Sequence, residues 1–326
     1  MPRSFRKRIH LGQCFVALVR LNLQGMQRKI VYIINPISGT RTKKDLQEFI
    51  EKKTAELEIP FFVFPSVASG DYSFLHSIIR RQRITDVVIA GGDGTVSQVI
   101  GSLLNFDLNF GIIPCGSGNG LAYAAGIPKQ PSKALKVIFD GDTTLTDGYS
   151  INGQFACMLA GLGFDAKVAH DFAQQPQRGL TTYITQVVKN FFSAKTYSFD
   201  FKLHNRKFHT DAFFISIANS NQFGNNFTIA PKASLSDGLL DIVIVTQQNK
   251  MSLLLQTFKQ ISGRNKLQPD AAIDTKKAVI YFQTDKITIK NRSLAPLHID
   301  GDPSETPEEL KIEVRKKCFR LLHPVV

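Results

Sequence analysis

The chain has 326 residues, of which 43% are hydrophobic, and this is enough for two domains with cores of their own. Its formal net charge of +13 predicts an anionic partner: a nucleotide, a nucleic acid or an acidic lipid surface. The four cysteines lie far apart without C-x-x-C spacing, which argues against a zinc site. No apolar run approaches the ~20 residues that span a bilayer, so we expect any membrane contact to be peripheral.

Residues 1–26 form a basic N-terminal extension around a short apolar patch, residues 14–19. Its basic residues are Arg3, Arg6, Lys7, Arg8 and Arg20. One interpretation is an amphipathic segment that lies on an anionic membrane. The other, which we favour, is a disordered stretch or a mis-assigned start, with translation beginning at Met26 just before the first strand.

Strands and helices alternate between residues 27 and 141. Short apolar runs rich in β-branched residues predict strands, and apolar residues spaced three and four apart predict helices. The predicted strands are 30–34, 61–64, 85–90 and 109–113, and the helices lie around 46–50, 74–79, 96–104 and 133–139. This alternation predicts an α/β domain with a parallel sheet.

Each predicted strand of this domain ends in a polar or glycine-rich loop. Because ligands of such sheets bind beyond the carboxyl ends of the strands, we expect these loops to meet. Glycines let the backbone approach a ligand closely, and a helix N-terminus suits a phosphate. Asp93, among the glycines of the third loop, would repel a phosphate unless it binds a metal or takes a proton, which hints at phosphoryl transfer. The loops are Asn35-Pro36-Ile37-Ser38-Gly39, Ser66, Gly91-Gly92-Asp93-Gly94-Thr95 and Gly116-Ser117-Gly118-Asn119-Gly120.

Period-two apolar patterns dominate residues 142–317, for example at positions 199/201/203 and 213/215/217. This pattern predicts a C-terminal antiparallel β-sandwich domain, interrupted by one helix at 183–192. The tail, residues 318–326, contains a last apolar piece. We expect this piece either to return to the N-terminal domain or to belong to the sandwich.

Five motifs, in this order, resemble those of the diacylglycerol kinase catalytic-domain superfamily, which includes sphingosine and ceramide kinases. They are Asn35-Pro36-x-Ser38-Gly39, Gly91-Gly92-Asp93-Gly94-Thr95, Gly116-Ser117-Gly118-Asn119, Asp237-Gly238-Leu239-Leu240-Asp241 and Asp300-Gly301-Asp302. The resemblance implies a lipid kinase that uses ATP and Mg²⁺ and phosphorylates the hydroxyl of diacylglycerol, the commoner bacterial substrate, or of a sphingoid- or ceramide-type lipid. In this family the sandwich is the lipid-substrate domain.

The resemblance also implies roles for individual residues. Asp93 and Asp300 are alternatives for the general base, and each is also able to reach magnesium through water. Asp147 is expected to meet the lipid head group, where its charge suits a sphingoid amine, although Asp147-Gly148 equally fits a turn. The expected ATP-binding residues are Asn35, Ser38, Ser66, Gly91, Gly92, Gly94, Thr95, Gly116, Ser117, Gly118, Asn119 and Arg178. The expected metal ligands are Asp237, Asp241 and Asp302.

Two positions depart from the family pattern. Asp302 stands where the family commonly has Glu, which shortens its reach by one methylene. Gly120 stands where bacterial diacylglycerol kinases usually have Asp, and a small residue there is more like sphingosine and ceramide kinases. These departures leave the identity of the lipid open.

Two other functions explain part of the pattern. A NAD kinase shares the Gly-Gly-Asp-Gly motif but not the two aspartate motifs of the C-terminal half. A basic nucleic-acid-binding protein without enzymatic activity explains the charge but none of the glycine loops. We therefore expect a cytoplasmic, peripherally membrane-associated enzyme of lipid metabolism and phospholipid biosynthesis. Its expected partners are ATP, a lipid at an anionic membrane surface and a second copy of the chain, with no specific nucleic acid.

Overall fold

A computed structural model of the chain describes residues 28–37, 43–164, 166–167, 171, 195–204, 206–222, 229–246, 252, 256, 259–260, 262–269 and 273–325. The basic extension, the helix predicted at 183–192, Ser38 and Arg178 lie outside these residues.

The N-terminal half contains a parallel sheet of four strands. They are β1 (Ile30–Ile34), β2 (Phe61–Pro65), β3 (Asp86–Gly91) and β4 (Asn109–Pro114), arranged in the order β4-β3-β1-β2. Every residue of β1 and β3 is buried, as expected for strands that are covered on both faces. The predicted α/β architecture of this half is confirmed.

In the described residues of this half, five helices accompany the sheet: α1 (Lys43–Ala55), α2 (Leu75–Gln82), α3 (Asp93–Leu103), α4 (Gly120–Ala124) and α5 (Pro131–Asp140). Helix α3 buries its apolar stripe of Val96, Val99, Ile100 and Leu103. It begins directly after β3, with Gly92 as its extended N-cap residue, so its free N–H groups lie at the C-terminal edge of the sheet. Helix α4 is one short turn that the sequence pattern did not predict.

The C-terminal half is built from antiparallel strands, as predicted. They are β5 (Asp142–Ile151), β6 (Gln154–Ala156), β7 (Leu159–Gly163), β8 (Tyr197–Leu203), β9 (Arg206–Ala218), β10 (Leu240–Thr246), β11 (Val279–Thr284), β12 (Lys286–Asn291), β13 (Leu297–Ile299), β14 (Asp302–Ser304) and β15 (Glu309–His323). In β8, buried residues alternate with less buried ones, which is the period-two pattern expected of a strand with one face on a core. A separate core cluster lies in this half and includes Phe199, Phe201 and Phe282.

The last strand, β15, connects the two halves. Its first residues pair antiparallel with β12, and much of its length pairs with β5. Near its end, Arg320 and Leu321 pair parallel with Asn109 and Phe110 of β4. One continuous set of strands therefore runs from the N-terminal sheet into the C-terminal half, and the domain boundaries at residues 26, 141 and 317 stay predictions. No helix in the described part of the chain is long and apolar enough to span a membrane.

Arg28 anchors the start of β3 to the end of α5. Its guanidinium donates to the Asp86 carboxylate at 2.7 Å and to the carbonyls of Ile138 and Phe139 at 2.6 and 3.1 Å. Asp86 is only 1% exposed, so this ion pair is buried on the carboxylate side.

We expect Arg28→Met to lower the free energy of unfolding by about 3–5 kcal/mol, because it leaves the buried Asp86 carboxylate without its cation. Urea denaturation measures the change. Lys44→Met, which removes an exposed cation from α1, is the matched control and should change little. A loss below about 1 kcal/mol for Arg28→Met would contradict the structural role of this ion pair.

Candidate active site

The loops that follow the four parallel strands meet at one edge of the sheet. Asn35, after β1, donates its side-chain N–H to the Thr95 hydroxyl at 2.8 Å. Cys115, after β4, donates its backbone N–H to the Gly91 carbonyl at 2.9 Å. The N–H of Ser66, after β2, donates to the Ile34 carbonyl at 3.0 Å. The structure thus brings these predicted loops together.

The two glycine loops touch each other through their backbones. A Cβ atom placed on Gly116 would stand 2.5 Å from the Cα of Gly92, closer than real Cβ atoms approach any heavy atom. Glycine is therefore required at position 116 by close packing. Gly118 and Ser117 are half-buried beside this contact, so backbone N–H groups of both loops lie in one small area.

Asn119 shapes the second glycine loop from within. It adopts a left-handed conformation (φ +58°), which Asn tolerates better than most residues. Its side-chain oxygen accepts the N–H of Gly116 at 2.7 Å, and its side-chain nitrogen donates to the Gly116 carbonyl at 2.7 Å. The predicted contact of Asn119 with ATP stays a prediction, and these bonds give the side chain a structural task as well.

Asp93 is the first residue of α3 and faces the start of α4. Its two carboxylate oxygens accept the backbone N–H groups of Gly120 and Leu121 at 3.0 and 3.2 Å. This contact joins the two glycine loops through a charge at the N-terminus of a helix, where an anion is stabilised.

Asp300 lies in the tight turn between β13 and β14 and is 2% exposed. Its carboxylate accepts three backbone N–H groups, those of Cys157, Met158 and Leu159, at 2.8 to 3.0 Å. Asp300 therefore holds the connection between β6 and β7 in place.

The Asp93 and Asp300 carboxylates influence each other. Burial raises the pKa of Asp93 to about 6, the amides of Gly120 and Leu121 oppose this rise, and the charge of Asp300 adds to it. Burial also raises the pKa of Asp300, and the Ser97 hydroxyl and the three backbone amides at its carboxylate oppose this rise. A carboxylate with a pKa near neutrality is suited to accept a proton at physiological pH.

Asp302 lies against the first turn of α3. A Cβ atom on Gly94 would stand 1.9 Å from an oxygen of the Asp302 carboxylate, so the carboxylate lies directly over the backbone of Gly94. Mg²⁺ in kinases is typically held by one or two carboxylates together with substrate phosphates and waters. A single carboxylate beside a phosphate-suited helix N-terminus fits that mode of binding.

The aspartates of the first C-terminal motif lie elsewhere, at the start of β10. Asp241 accepts hydrogen bonds from the Tyr281 hydroxyl and, at 2.9 Å, from the Gln283 amide. Burial raises the pKa of Asp241 to about 6, and the neighbouring charge of Asp237 adds to the rise. Within the described residues, no group of three or more His, Cys, Asp or Glu side chains is placed to hold a metal ion. A metal at Asp237 and Asp241 stays a prediction.

Asp147, expected at the lipid head group, is fully buried within β5. Its two oxygens accept the backbone N–H groups of Gly238 and Lys317, each at 2.6 Å. Through these contacts Asp147 connects the turn that precedes β10 with strand β15. A lipid amine would have to displace them, so the structure gives Asp147 partners other than the one predicted.

We expect Asp147→Asn to lower the free energy of unfolding by about 1–3 kcal/mol, because its amide NH₂ must face one of the two backbone donors. Thermal or urea unfolding measures this loss, and Asp142→Asn, an exposed position on the same strand, is the control. The structural role also predicts equal losses of activity on amine-containing and neutral lipids. Unchanged stability with a selective loss on amine lipids would restore the head-group role.

Several contributors to this site left no signal in the sequence. The amides of Leu121, Cys157, Met158 and Leu159 bind the two carboxylates, and any residue type provides such an N–H group. Gly120 is the exception: a Cβ there would stand 2.3 Å from the Met158 sulfur, so close packing requires the glycine.

Comparison with known proteins agrees with this architecture. The sequence matches the family "Diacylglycerol kinase catalytic domain" over residues 29–151 and the family "YegS C-terminal NAD kinase beta sandwich-like domain" over residues 159–323. The chain is 26% identical over 226 residues to a probable lipid kinase YegS-like protein of Chromohalobacter salexigens, covering 68% of this chain and 70% of that one. It is 23% identical to a diacylglycerol kinase of Bacillus subtilis, covering 84% and 89% of the two chains.

The fold is also that of a solved structure. A putative diacylglycerol kinase from Bacillus anthracis str. Sterne superposes with a TM-score of 0.70 at 18% identity, covering 91% of this chain and 96% of that one. At this identity the likeness concerns the fold alone. The two matched domain families, which cover both halves, show that the chain belongs to the YegS/diacylglycerol kinase-like family of lipid kinases.

Proposed function

We propose that the protein transfers the γ-phosphate of ATP to the hydroxyl of a lipid alcohol, diacylglycerol or a sphingoid-type lipid, at an anionic membrane surface. The observation that carries this proposal is the meeting of the two glycine loops with the Asp93 and Asp300 carboxylates at one edge of the sheet. The net charge of +13 supports an anionic surface as the place of work.

The backbone N–H groups of both glycine loops would bind and orient the phosphates, together with the N-terminus of α3. In the transfer, a bond forms between the lipid oxygen and the γ-phosphorus while the bond from that phosphorus to the oxygen bridging the β- and γ-phosphates breaks. ADP is the leaving group, and the hydroxyl proton passes to a carboxylate.

We propose Asp93 as the carboxylate that accepts this proton, with Asp300 as the alternative. Asp93 is half-buried and accepts hydrogen bonds from two backbone N–H groups, whereas Asp300 is almost fully buried and accepts hydrogen bonds from three. The charge of Asp300 helps to raise the pKa of Asp93 to about 6, which suits a base at neutral pH.

Magnesium, when bound, would neutralise charge on the transferred phosphate, and we propose that Asp302, which lies beside Gly94 at the start of α3, would hold it. Asp237 and Asp241 are proposed as a second, structural magnesium site. We further propose that ATP contacts Asn35, Ser66, Thr95 and Ser117, and, outside the described residues, Ser38 and Arg178.

The test is a phosphotransfer assay with ATP and a panel of diacylglycerol, monoacylglycerol, sphinganine, ceramide and NAD, with and without a chelator. We expect phosphorylation of at least one lipid, abolished by chelation of magnesium. Phosphorylation of NAD alone would refute the proposal in favour of a NAD kinase.

A further inference from the structure

The connection that leaves β9 is bound to the same backbone that holds Asp300. Asn219 and Ser220 donate their N–H groups to the Met158 carbonyl at 2.9 and 3.2 Å. The Asn219 side chain donates to the carbonyls of Asp147 and Cys157 at 2.8 and 2.9 Å. The segment from Asn219 to Gln222, called the 219–222 segment below, is thus fixed behind one carboxylate of the site.

The same segment lies against the partner of the other carboxylate. A Cβ atom on Gly120 would stand 2.6 Å from the backbone carbonyl oxygen of Gln222. The N–H of Gly120 is one of the two groups that donate to Asp93. The 219–222 segment is therefore in contact with the residues that position both Asp93 and Asp300.

Unpaired buried oxygens are concentrated here. Of the buried side-chain atoms without a hydrogen-bond partner in the described part of the chain, three are the amide oxygens of Asn219, Asn221 and Gln222. A fourth is the hydroxyl of Tyr149, which lies near enough to Asp300 for the carboxylate charge to add to the effect of burial in raising the pKa of this phenol. Buried polar atoms in proteins are nearly always paired with protein groups or water, so these oxygens are available to accept hydrogen bonds from donors outside the chain.

We propose that Asn221 and Gln222 determine substrate specificity, their amide oxygens accepting hydrogen bonds from donors on the lipid head group other than the hydroxyl that is phosphorylated. The substrate class that fits is a lipid alcohol with two or more hydroxyl or amine donors, such as a monoacylglycerol or a sphingoid base. Diacylglycerol has one hydroxyl, which the transfer itself uses. This inference rests on the proposed lipid kinase activity.

The size of the effect follows from the chemistry of such sites. A site built to hydrogen-bond a substrate OH or NH discriminates strongly against an analogue that lacks it, because its own buried polar groups then stay unpaired. The near-isosteric variants Gln222→Met and Asn221→Leu remove the acceptors and should therefore lower kcat/KM more for the two-donor lipids than for the one-donor lipid.

The experiment compares kcat/KM for monoacylglycerol, sphinganine and diacylglycerol of one chain length in the same mixed micelle. We expect kcat/KM of the wild type to be at least about tenfold higher for the two-donor lipids than for diacylglycerol. In each variant this ratio of kcat/KM values should fall about tenfold. Gln154→Met, which changes an exposed glutamine at the β5–β6 hairpin, is the control and should keep the wild-type ratio.

A wild-type preference for diacylglycerol would overturn the inference, as would an unchanged ratio in both variants. If the variants do not fold, as judged by thermal melting, the wild-type ratio decides on its own. Absence of phosphorylation of every lipid by the wild type would instead refute the proposed function on which the inference rests.

Discussion

Asp93→Asn is expected to lower kcat by about 10²–10⁴-fold while the protein stays folded, because a positioned base is replaced by an amide of the same shape. The amide oxygen of Asn is still able to accept one of the two N–H groups from Gly120 and Leu121. Steady-state kinetics on the best lipid of the panel measure the effect, and thermal melting checks the fold. Asp142→Asn is the matched control, since that carboxylate is exposed and belongs to β5 rather than to either glycine loop.

The raised pKa of Asp93 adds a pH dependence to this result. Because the base must be ionised, kcat/KM of the wild type should rise about tenfold per pH unit below about 6 and level off above it. The effect of pH on stability has the opposite sign. The folded-state pKa of Asp93 lies above the usual value near 3.8, so this group stabilises the folded protein below about pH 3.8, and that stabilisation is lost as the pH rises through about 6. The Asp93→Asn variant should not show this loss of stability with rising pH. Near-normal kcat in a well-folded variant would exclude Asp93 as the base.

Gly116→Ala is expected to lower kcat/KM by about 10²-fold. The new methyl group would stand 2.5 Å from the backbone Cα of Gly92. Neither atom is able to move aside by a change of rotamer, because the position of a Cβ is fixed by its own backbone. The two glycine loops must then separate, and displacements of about 1 Å in a catalytic site are enough for a loss of this size.

Gly101→Ala provides the control for this substitution. It adds the same methyl group within α3, where the nearest atom is a Phe155 side-chain carbon at 3.0 Å, away from the loops. We expect that variant to keep the wild-type kcat/KM. Equal kinetic losses in the two variants would show that the contact between Gly92 and Gly116 has no special role.

Much of the architecture follows from local sequence patterns. The four parallel strands are runs of β-branched and aromatic residues that are long enough to recognise and are closed by glycines or prolines. The period-two residues 199, 201 and 203 face a core from one side of β8. Because strand ends in a parallel sheet share one edge, the meeting of the four loops also followed from the pattern.

Other features depend on contacts between distant parts of the chain and left no local signal. Asp147 carries the same Asp-Gly pattern whether it serves a turn or a ligand, and only its two donors, Gly238 and Lys317, distinguish the two. Likewise, β15 pairs with strands of both halves, a register that 15 residues of sequence do not encode on their own. The unpaired oxygens of Asn221 and Gln222 become recognisable only when the packing around them is known.

The most direct test of the lipid kinase assignment is to follow labelled phosphorus from ATP into lipid. The wild-type protein is incubated with magnesium, anionic vesicles that contain the lipid alcohols, and ATP labelled at either the α- or the γ-phosphorus, and the lipid is then extracted. We expect label in the extracted lipid from γ-labelled ATP only, and labelling at least about 100-fold slower with Asp93→Asn. Label from neither form of ATP in any lipid, or equal labelling by the Asp93→Asn variant, would contradict this expectation.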